Sequence, residues 1–207
     1  MAEARLKKPD LARALDKVMR ALAGAPAYAL IGGVAVSARA EPRFTRDLDF
    51  MAAVPDDEGA EAFVHRLIQH GFRIVSVLEN TKHRRLGTVR LRAAPDAPIV
   101  ELLFASSGIE AEVVSAADSI VVLDRRLRVA KIGHLIALKL LARDDETRPQ
   151  DAIDLRALAR VATARERQRA RAAVALIEKR GFARRRNLAA ALERRRKATS
   201  APGHVRR

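Results

Sequence analysis

Apolar residues recur at two different spacings along the chain. Between about residues 27 and 130, short strand-like runs alternate with short helical stretches. After Lys131 the spacing is helical, beginning with the strongly apolar run Ile132–Ala142. Because strands and helices have different side-chain periods, this change predicts an α+β fold, with a mixed β-sheet flanked by helices and followed by a helical C-terminal part.

The same pattern predicts individual elements. Strands are expected at 28–31, 47–51, 72–78, 88–93, 99–104, 119–123 and 127–129, and helices at 9–23, 34–39, 61–70, 132–142 and 152–162, with a helix or loop at 109–117. No long flexible linker separates the two regions. We therefore expect a core with an N-terminal helix over 1–130, a helical region over 131–198 packed on it, and a flexible tail over 199–207.

Composition limits the class of protein. Hydrophobic residues make up 49% of the 207 residues, which is enough for a sizeable core. The chain has no apolar run of about 18 residues, which a membrane-spanning helix requires, and its first residues lack the features of a secretory signal. It also has no cysteine, which excludes disulfides and thiolate chemistry. We expect a cytoplasmic protein without a membrane partner.

Positive charge is concentrated near the C-terminus. The net charge is +15, and the part from Arg156 onward carries 17 basic and 3 acidic residues. This favours a polyanionic partner, with nucleic acid first and an acidic protein second. Exposed arginine-rich helices that are simply solvated are the alternative. Aromatic residues are only 3% of the chain, so any nucleic-acid binding should be directed to the backbone.

Three acidic residues form a candidate metal site. Asp47 and Asp49 alternate with Leu48 and Phe50, so in a strand both carboxylates project from one face and the apolar side chains from the other. Two such close carboxylates raise each other's pKa unless a cation lies between them. Glu101 is an isolated acid in an apolar strand, and could complete an oxygen-ligand site for Mg²⁺ or Mn²⁺ if its strand is a neighbour.

A glycine pair precedes the acidic residues. Gly32 and Gly33 follow an apolar strand and open a short helix, an arrangement that lets backbone N–H groups approach a phosphate. Four polar side chains nearby could contact triphosphate oxygens: Ser37, Arg39, Arg43 and Arg46. Thr45 is interpreted as bracing the loop through a hydroxyl hydrogen bond.

These residues resemble the polymerase-beta-type nucleotidyltransferase signature. Gly-Gly followed by Arg43-Phe-Thr45-Arg-Asp47-Leu-Asp49 is similar to the AbiEii-like branch, which includes toxins of toxin–antitoxin and abortive-infection systems. A second similar stretch contains Lys139 and then Arg148-Pro-Gln-Asp151-Ala-Ile-Asp154-Leu. The resemblance covers about residues 27–158 and implies nucleotide binding by both stretches. Glu101 departs from the aspartate of many relatives.

The resemblance also implies roles for the second stretch. Lys139 would contact a phosphate, and Asp151 or Asp154 would orient it. The alternatives are structural: Lys139 could extend from an amphipathic helix to solvent, Asp151 could stabilise a helix N-terminus, and Asp154 could pair with an arginine. His134 is interpreted as a core residue. The stretch 82–85 is interpreted as a solvated hairpin loop, with a loop that contacts bases or phosphates as the alternative.

The expected activity is metal-dependent transfer of a nucleotide from an NTP to a macromolecule. RNA such as tRNA is the first acceptor because of the basic C-terminal part, and the toxin-like resemblance implies an antitoxin partner. Two alternatives keep the chemistry but change the acceptor, to an aminoglycoside-like small molecule or to a protein. A third is a catalytically inactive nucleic-acid-binding module of the same fold.

Overall fold

The computed structural model describes residues 11–143 and 149–200, the last five as backbone only. Seven strands form its sheet: β1 (Tyr28–Ile31), β2 (Leu48–Ala52), β3 (Arg73–Asn80), β4 (Arg85–Arg92), β5 (Ile99–Leu103), β6 (Asp118–Val122) and β7 (Arg125–Val129). Their spatial order is β3-β4-β5-β2-β1-β7-β6. Strand β2, which carries the predicted acidic pair, therefore lies at the centre of the sheet.

The sheet is mixed. Strand β2 runs antiparallel to β1 and parallel to β5. Strand β4 is antiparallel to both β3 and β5, and β7 is parallel to β1 and antiparallel to β6. On β2, Leu48 and Phe50 are buried in the core, whereas Asp49 between them is only partly buried. The alternation of side chains along a strand thus presents Asp49 on the face away from that core.

Eight helices surround or follow the sheet in the described residues: α1 (Leu11–Ala21), α2 (Gly32–Arg39), α3 (Asp57–Gln69), α4 (Glu110–Ala116), α5 (Ile132–Ala142), α6 (Pro149–Val161), α7 (Ala164–Lys179) and α8 (Leu188–Ser200). Side chains before α3 and α7 cap their free N–H groups: Asp56 accepts from Gly59, and Thr163 accepts from Glu166.

Helix α5 joins the C-terminal helices to the sheet region. It is apolar on all sides and is covered by α2, α6, α7 and α8, as expected for a helix without a solvent face. Leu135 and Leu140 are among its fully buried residues. Side chains on α5 can therefore reach the sheet on one side and the later helices on the other.

Strand β3 forms one edge of the sheet and is exposed along most of its length. Four apolar side chains on it are about half exposed: Ile74, Val75, Val77 and Leu78. A β-bulge interrupts its pairing with β4 between Ile74 and Ser76. The edge thus exposes apolar side chains between the charged residues Arg73 and Glu79.

The predicted fold class is confirmed, with differences at element ends. The stretch left open as helix or loop is α4, and the turn at 81–84 closes a longer β3–β4 hairpin than expected. Residues 1–10, 144–148 and 201–207 lie outside the described residues, which removes the start of the first predicted helix, Arg148 and most of the predicted tail. The division of domains near residue 130 stays a prediction.

No helix in the described ranges is both long enough and apolar enough to cross a membrane.

Candidate active site

The three predicted carboxylates line one cleft. Asp49 on β2 lies in register with Glu101 on the parallel neighbour β5, and Asp47 directly precedes β2. The cleft has a volume of about 580 Å³. Its lining includes Gly33, Arg43, Thr45, Arg46, Asp47, Asp49, Arg90, Glu101, Lys139 and Asp151. Residues from both predicted regions of the chain therefore meet here.

Negative charge is poorly balanced at the centre of the cleft. Burial, then the neighbouring charges of Glu101 and Asp47, raise the pKa of Asp49 to about 7. Burial and Glu101 also raise the pKa of Asp47, with Arg90 acting in the opposite direction. Repulsion between close carboxylates is the expected cause of such shifts. A cation among these oxygens would remove the conflict.

Arg90 is the partner of the third carboxylate. It lies on β4 in register with Glu101, and its Nε donates to Glu101 Oε1 at 2.9 Å. As the side chains stand, no three acidic or histidine residues within 11–143 and 149–195 form a group that could hold a metal ion. Glu101 is therefore partly buried and bonded through Oε1 to a guanidinium.

The glycine pair makes room for Asp49 and the loop before β2. Gly32 has φ of 63°, and a Cβ there would lie 1.7 Å from Asp49 Oδ2. A Cβ on Gly33 would lie 2.7 Å from Thr45 Oγ1 and 2.8 Å from Arg43 Nη2. The backbone N–H of Gly33 also bonds to Asp49. Close packing against these side chains therefore favours glycine at both positions. The sequence analysis explained the two glycines by phosphate binding and did not include this reason.

A buried ionic network connects the cleft to α6. Arg43 donates from Nε and Nη2 to the two carboxylate oxygens of Asp154, at 2.6 and 2.8 Å. Lys139 Nζ lies 2.7 Å from Asp151 Oδ1 and 2.8 Å from Asp154 Oδ2. All but Arg43 are buried. Burial alone would raise the pKa of Asp154, but bonds from Arg43 and Lys139 hold it below its usual value.

The structure shows which of the structural alternatives hold for these residues, whereas their roles toward a nucleotide stay predictions. Lys139 does not extend to solvent but lies between two aspartates. Asp151 is in the first turn of α6, and it also pairs with Lys139. Asp154 does pair with an arginine, and the partner is Arg43 of the first motif. The two motifs are thus physically linked.

Other predicted residues have separate positions. Ser37 Oγ bonds to the backbone of Arg43 and so holds the loop. The prediction that Arg39 could contact a triphosphate is wrong, because its guanidinium bonds to Asp118 and to the carbonyls of Val129 and Ala130. Thr45 and Arg46 line the cleft, the latter beside the Phe44 ring. His134 is buried in α5, as interpreted.

Arg90 is the cleft residue that the sequence analysis missed. It belongs to an alternating run in which buried Val89 and Leu91 flank it. The alternation predicts that the Arg90 side chain points away from the core. Its position beside Glu101 follows only from the register between β4 and β5.

Comparisons with known proteins agree with this architecture. A family model described as "Nucleotidyl transferase AbiEii toxin, Type IV TA system" matches residues 13–206. No curated protein matches the chain.

Among solved structures, the chain is similar to the solution structure of the antibiotic-resistance factor ANT(2″)-Ia, with 17% identity, 91% of this chain and 97% of that chain covered, and a TM-score of 0.56. The crystal structure of ANT(2″)-Ia in complex with adenylyl-2″-tobramycin gives 16% identity, 82% and 98% coverage, and a TM-score of 0.55. At these identities the likeness shows the fold.

The family match spans nearly the whole chain and includes both motifs that meet at the cleft. The sheet and its flanking helices are consistent with that match. The chain is therefore a nucleotidyltransferase, and it belongs to the AbiEii family of nucleotidyltransferase toxins, of type IV toxin–antitoxin systems.

Proposed function

We propose that this nucleotidyltransferase uses a divalent cation, held by Asp47, Asp49 and Glu101, to transfer a nucleotide from an NTP to RNA. The observation that carries the proposal is the registration of Asp49 with Glu101 across β2 and β5, beside Asp47 in one cleft. The family description adds that the activity belongs to a toxin, whose effect an antitoxin would counter.

The carboxylates fit Mg²⁺ or Mn²⁺ in their chemistry. Both ions prefer oxygen ligands, and the raised pKa of Asp49 reflects negative charge that a cation would neutralise. Arg90 bonds to Glu101 through Oε1 alone, which leaves Oε2 as the oxygen that a cation could share with Asp47 and Asp49. When bound, such ions activate an attacking hydroxyl and steady the triphosphate and the leaving pyrophosphate.

The remaining wall of the cleft suits a triphosphate. Lys139 lines the cleft while its ammonium bonds to Asp151 and Asp154. An ammonium has three N–H donors, so this arrangement fixes the lysine and is compatible with a further bond to a phosphate oxygen. Thr45 and the backbone of Gly33 lie on the same wall. Arg43, held by Asp154, keeps the loop that carries Thr45 in place.

RNA, with tRNA first, is the acceptor that the charge distribution favours. The part of the chain from Arg156 onward carries 17 basic and 3 acidic residues, and phosphate neutralisation dominates nucleic-acid affinity. A small-molecule acceptor is the second candidate, because ANT(2″)-Ia shares the fold. The unbalanced carboxylates of the cleft are compatible with a cationic aminoglycoside, so the case for RNA rests on the basic C-terminal part.

The test offers all acceptors at once. Purified protein is incubated with each α-labelled NTP, with Mg²⁺ or Mn²⁺, and with total RNA, tRNA, cellular protein or an aminoglycoside. An Asp47→Asn/Asp49→Asn variant runs beside Glu61→Gln/Asp96→Asn, which removes two charges at exposed positions outside the cleft. We expect labelled RNA with the wild type and the control, and at least a 1000-fold loss in the cleft variant, roughly the scale of lost electrostatic stabilisation.

Three results would contradict the proposal. Label only on protein or on the aminoglycoside would reject RNA as acceptor. Transfer that does not depend on the added metal would reject the metal site. Equal activity of the two double variants would reject Asp47 and Asp49.

A further inference from the structure

A second, basic cavity opens beside the cleft. Its volume is about 660 Å³, and its lining includes Lys82 and His83 from the β3–β4 turn and Arg184 and Arg185 from the α7–α8 connection. Lys82, Arg184 and Arg185 are exposed. Glu79 is its acidic lining residue, so the cavity is positively charged overall. We call this cavity the basic mouth.

The basic mouth is built from two segments about 100 residues apart in the chain. The ring of His83 stacks on that of Phe182, with centroids 3.9 Å apart and planes 6° apart. Lys82 Nζ donates to the carbonyl of Gly181 at 2.9 Å. These contacts fix the hairpin turn against the α7–α8 connection, so the basic side chains form one surface.

The backbone of the α7–α8 connection is held in an unusual conformation. Arg184 and Arg185 both have positive φ, of 53° and 61°, a region that residues other than glycine rarely adopt, and seldom in succession. The next residue, Arg186, donates from Nη1 to the carbonyls of Leu141 and Arg143 at the end of α5. Strain of this kind persists where the surroundings enforce it, and it concentrates at functional sites.

A smaller cavity connects the basic mouth to the carboxylates. It has a volume of about 230 Å³. Its lining includes Asp49, Arg90, Glu101 and Lys139, which also line the cleft, and Leu78, Thr88, Ser106 and Arg184, which also line the basic mouth. The three cavities are therefore adjacent in series, and a passage along them would lead from the basic mouth to the carboxylates.

We propose that this passage is the path of the acceptor: phosphates near the end of an RNA strand bind at the basic mouth, and the terminal hydroxyl reaches Asp49 and Glu101 through the connecting cavity. The connecting cavity is far too small for a duplex, so the acceptor end is single-stranded. Single strands bind proteins through phosphate contacts with lysine and arginine. This inference rests on the proposed RNA acceptor.

The transfer balances without a further reactant. The terminal hydroxyl oxygen bonds to the α-phosphorus of the NTP. The bond from that phosphorus to the oxygen bridging to the β-phosphate breaks, and pyrophosphate leaves with the bridging oxygen. The hydroxyl proton passes to solvent.

The first test neutralises the basic mouth. Lys82→Gln/Arg184→Gln/Arg185→Gln is compared with Arg13→Gln/Arg20→Gln/Arg126→Gln, which removes the same charge at exposed positions that precede the basic C-terminal part and line none of the three cavities. We expect KM for RNA to rise at least 10-fold in the first variant and less than 3-fold in the control, with KM for the NTP changed less than 2-fold in both. The slope of log KM against log salt should fall by about 2, because each single-strand contact contributes roughly 0.7.

A second test uses the absence of cysteine from the chain. Thr88→Cys places one thiol where the connecting cavity meets the basic mouth, and Ser119→Cys places one on β6 at the far side of the sheet. RNA carrying a terminal 2-pyridyl disulfide should exchange with the thiol of Thr88→Cys, releasing the pyridine thiol, at least 10 times faster than with Ser119→Cys, and unmodified RNA should compete.

The outcomes separate the two proposals. If the wild type labels no RNA, the proposed acceptor is wrong, and the proposed path of the acceptor is wrong as well. If the wild type labels RNA but the two charge variants behave alike, or the two thiols react equally, the acceptor stands and the path is overturned.

Discussion

Asp49 is the residue at which stability and chemistry conflict. Its backbone belongs to the central strand, and its carboxylate fills the space that a side chain at Gly32 would need. Burial, then Glu101 and Asp47, raise its pKa to about 7. The folded protein therefore disfavours the ionised form that metal binding requires. Removal of the charge should stabilise the protein and abolish its activity.

Replacement of Asp49 by asparagine tests this conflict in metal-free buffer at pH 8. Because the folded pKa lies above the unfolded value of 3.8, ionisation destabilises the folded state as pH rises toward 7, by about 1.4 kcal/mol per pKa unit. We expect Asp49→Asn to raise the free energy of unfolding by roughly 1 to 3 kcal/mol, and the Tm by about 2 to 4 °C per kcal/mol. Thermal melts with EDTA measure this.

Asp96→Asn is the control, since Asp96 is exposed, and its Tm should match the wild type within about 1 °C, as is usual for surface changes. A lower Tm for Asp49→Asn would show that the carboxylate stabilises the metal-free fold.

At the scale of elements, α5 has two functions. Lys139 faces the cleft, whereas His134 faces α7 and is buried. His134 Nδ1 has no hydrogen-bond partner among the described residues. Burial, then the positive charge of Arg169, lower the pKa of His134 to about 4, opposed by Glu166 and Glu112. Helix α5 therefore contains a buried histidine, His134, whose protonation would destabilise the folded protein.

His134 predicts a specific loss of stability in mild acid. The unfolded chain takes up the proton near pH 6.5, whereas the folded chain resists it until about pH 4. Between these values the free energy of unfolding falls as pH falls, by roughly 2.5 kcal/mol from pH 7.5 to 4.5. His134→Leu should remove this part of the slope in urea unfolding over that range.

His65→Gln provides the comparison, because His65 is exposed on α3, and it should keep the wild-type slope. If His134→Leu also keeps it, the acid sensitivity originates elsewhere.

Elements were predicted from the sequence to the extent that local pattern determines them. The bounds of α5 were predicted correctly, because its strongly apolar run of 11 residues is longer than the strands of this chain. Strands β3 and β4 were placed too narrowly, since the outer part of their hairpin is exposed and is held by pairing between the strands. The Arg90–Glu101 pair depends on strand register, which the alternation of residues in a single strand does not specify.

At the scale of the molecule, the sheet and the C-terminal helices complete one site. Asp151 and Asp154 come from α6 but fix Lys139 of α5 and Arg43 of the loop before β2. The sequence resemblance predicted that Lys139 and an aspartate act together. Pairing of Asp154 with an arginine was one of the predicted alternatives. Its partner, Arg43 of the first motif, was not predicted, because the two residues are 111 positions apart in the sequence.

Added salt should strongly increase KM for RNA. If three to five phosphates contact the protein, raising NaCl from 50 to 200 mM should increase KM for RNA by about 20- to 100-fold, because each single-strand contact contributes roughly 0.7 to the logarithmic slope. Initial rates at fixed NTP concentration measure the change, and thermal melts at both salt concentrations check that the fold is retained. A KM that changes less than 3-fold would exclude a mainly electrostatic RNA contact.

The exposed edge at β3 has a consequence for handling the protein. A free strand edge with half-exposed Ile74, Val75, Val77 and Leu78 can pair with the same edge of another molecule. Strand β3 has no lysine, and its exposed charged residues, Arg73 and Glu79, lie near its two ends. High-level expression should therefore lead to concentration-dependent aggregation through intermolecular β-pairing, a route to insolubility in which the rest of the fold stays intact.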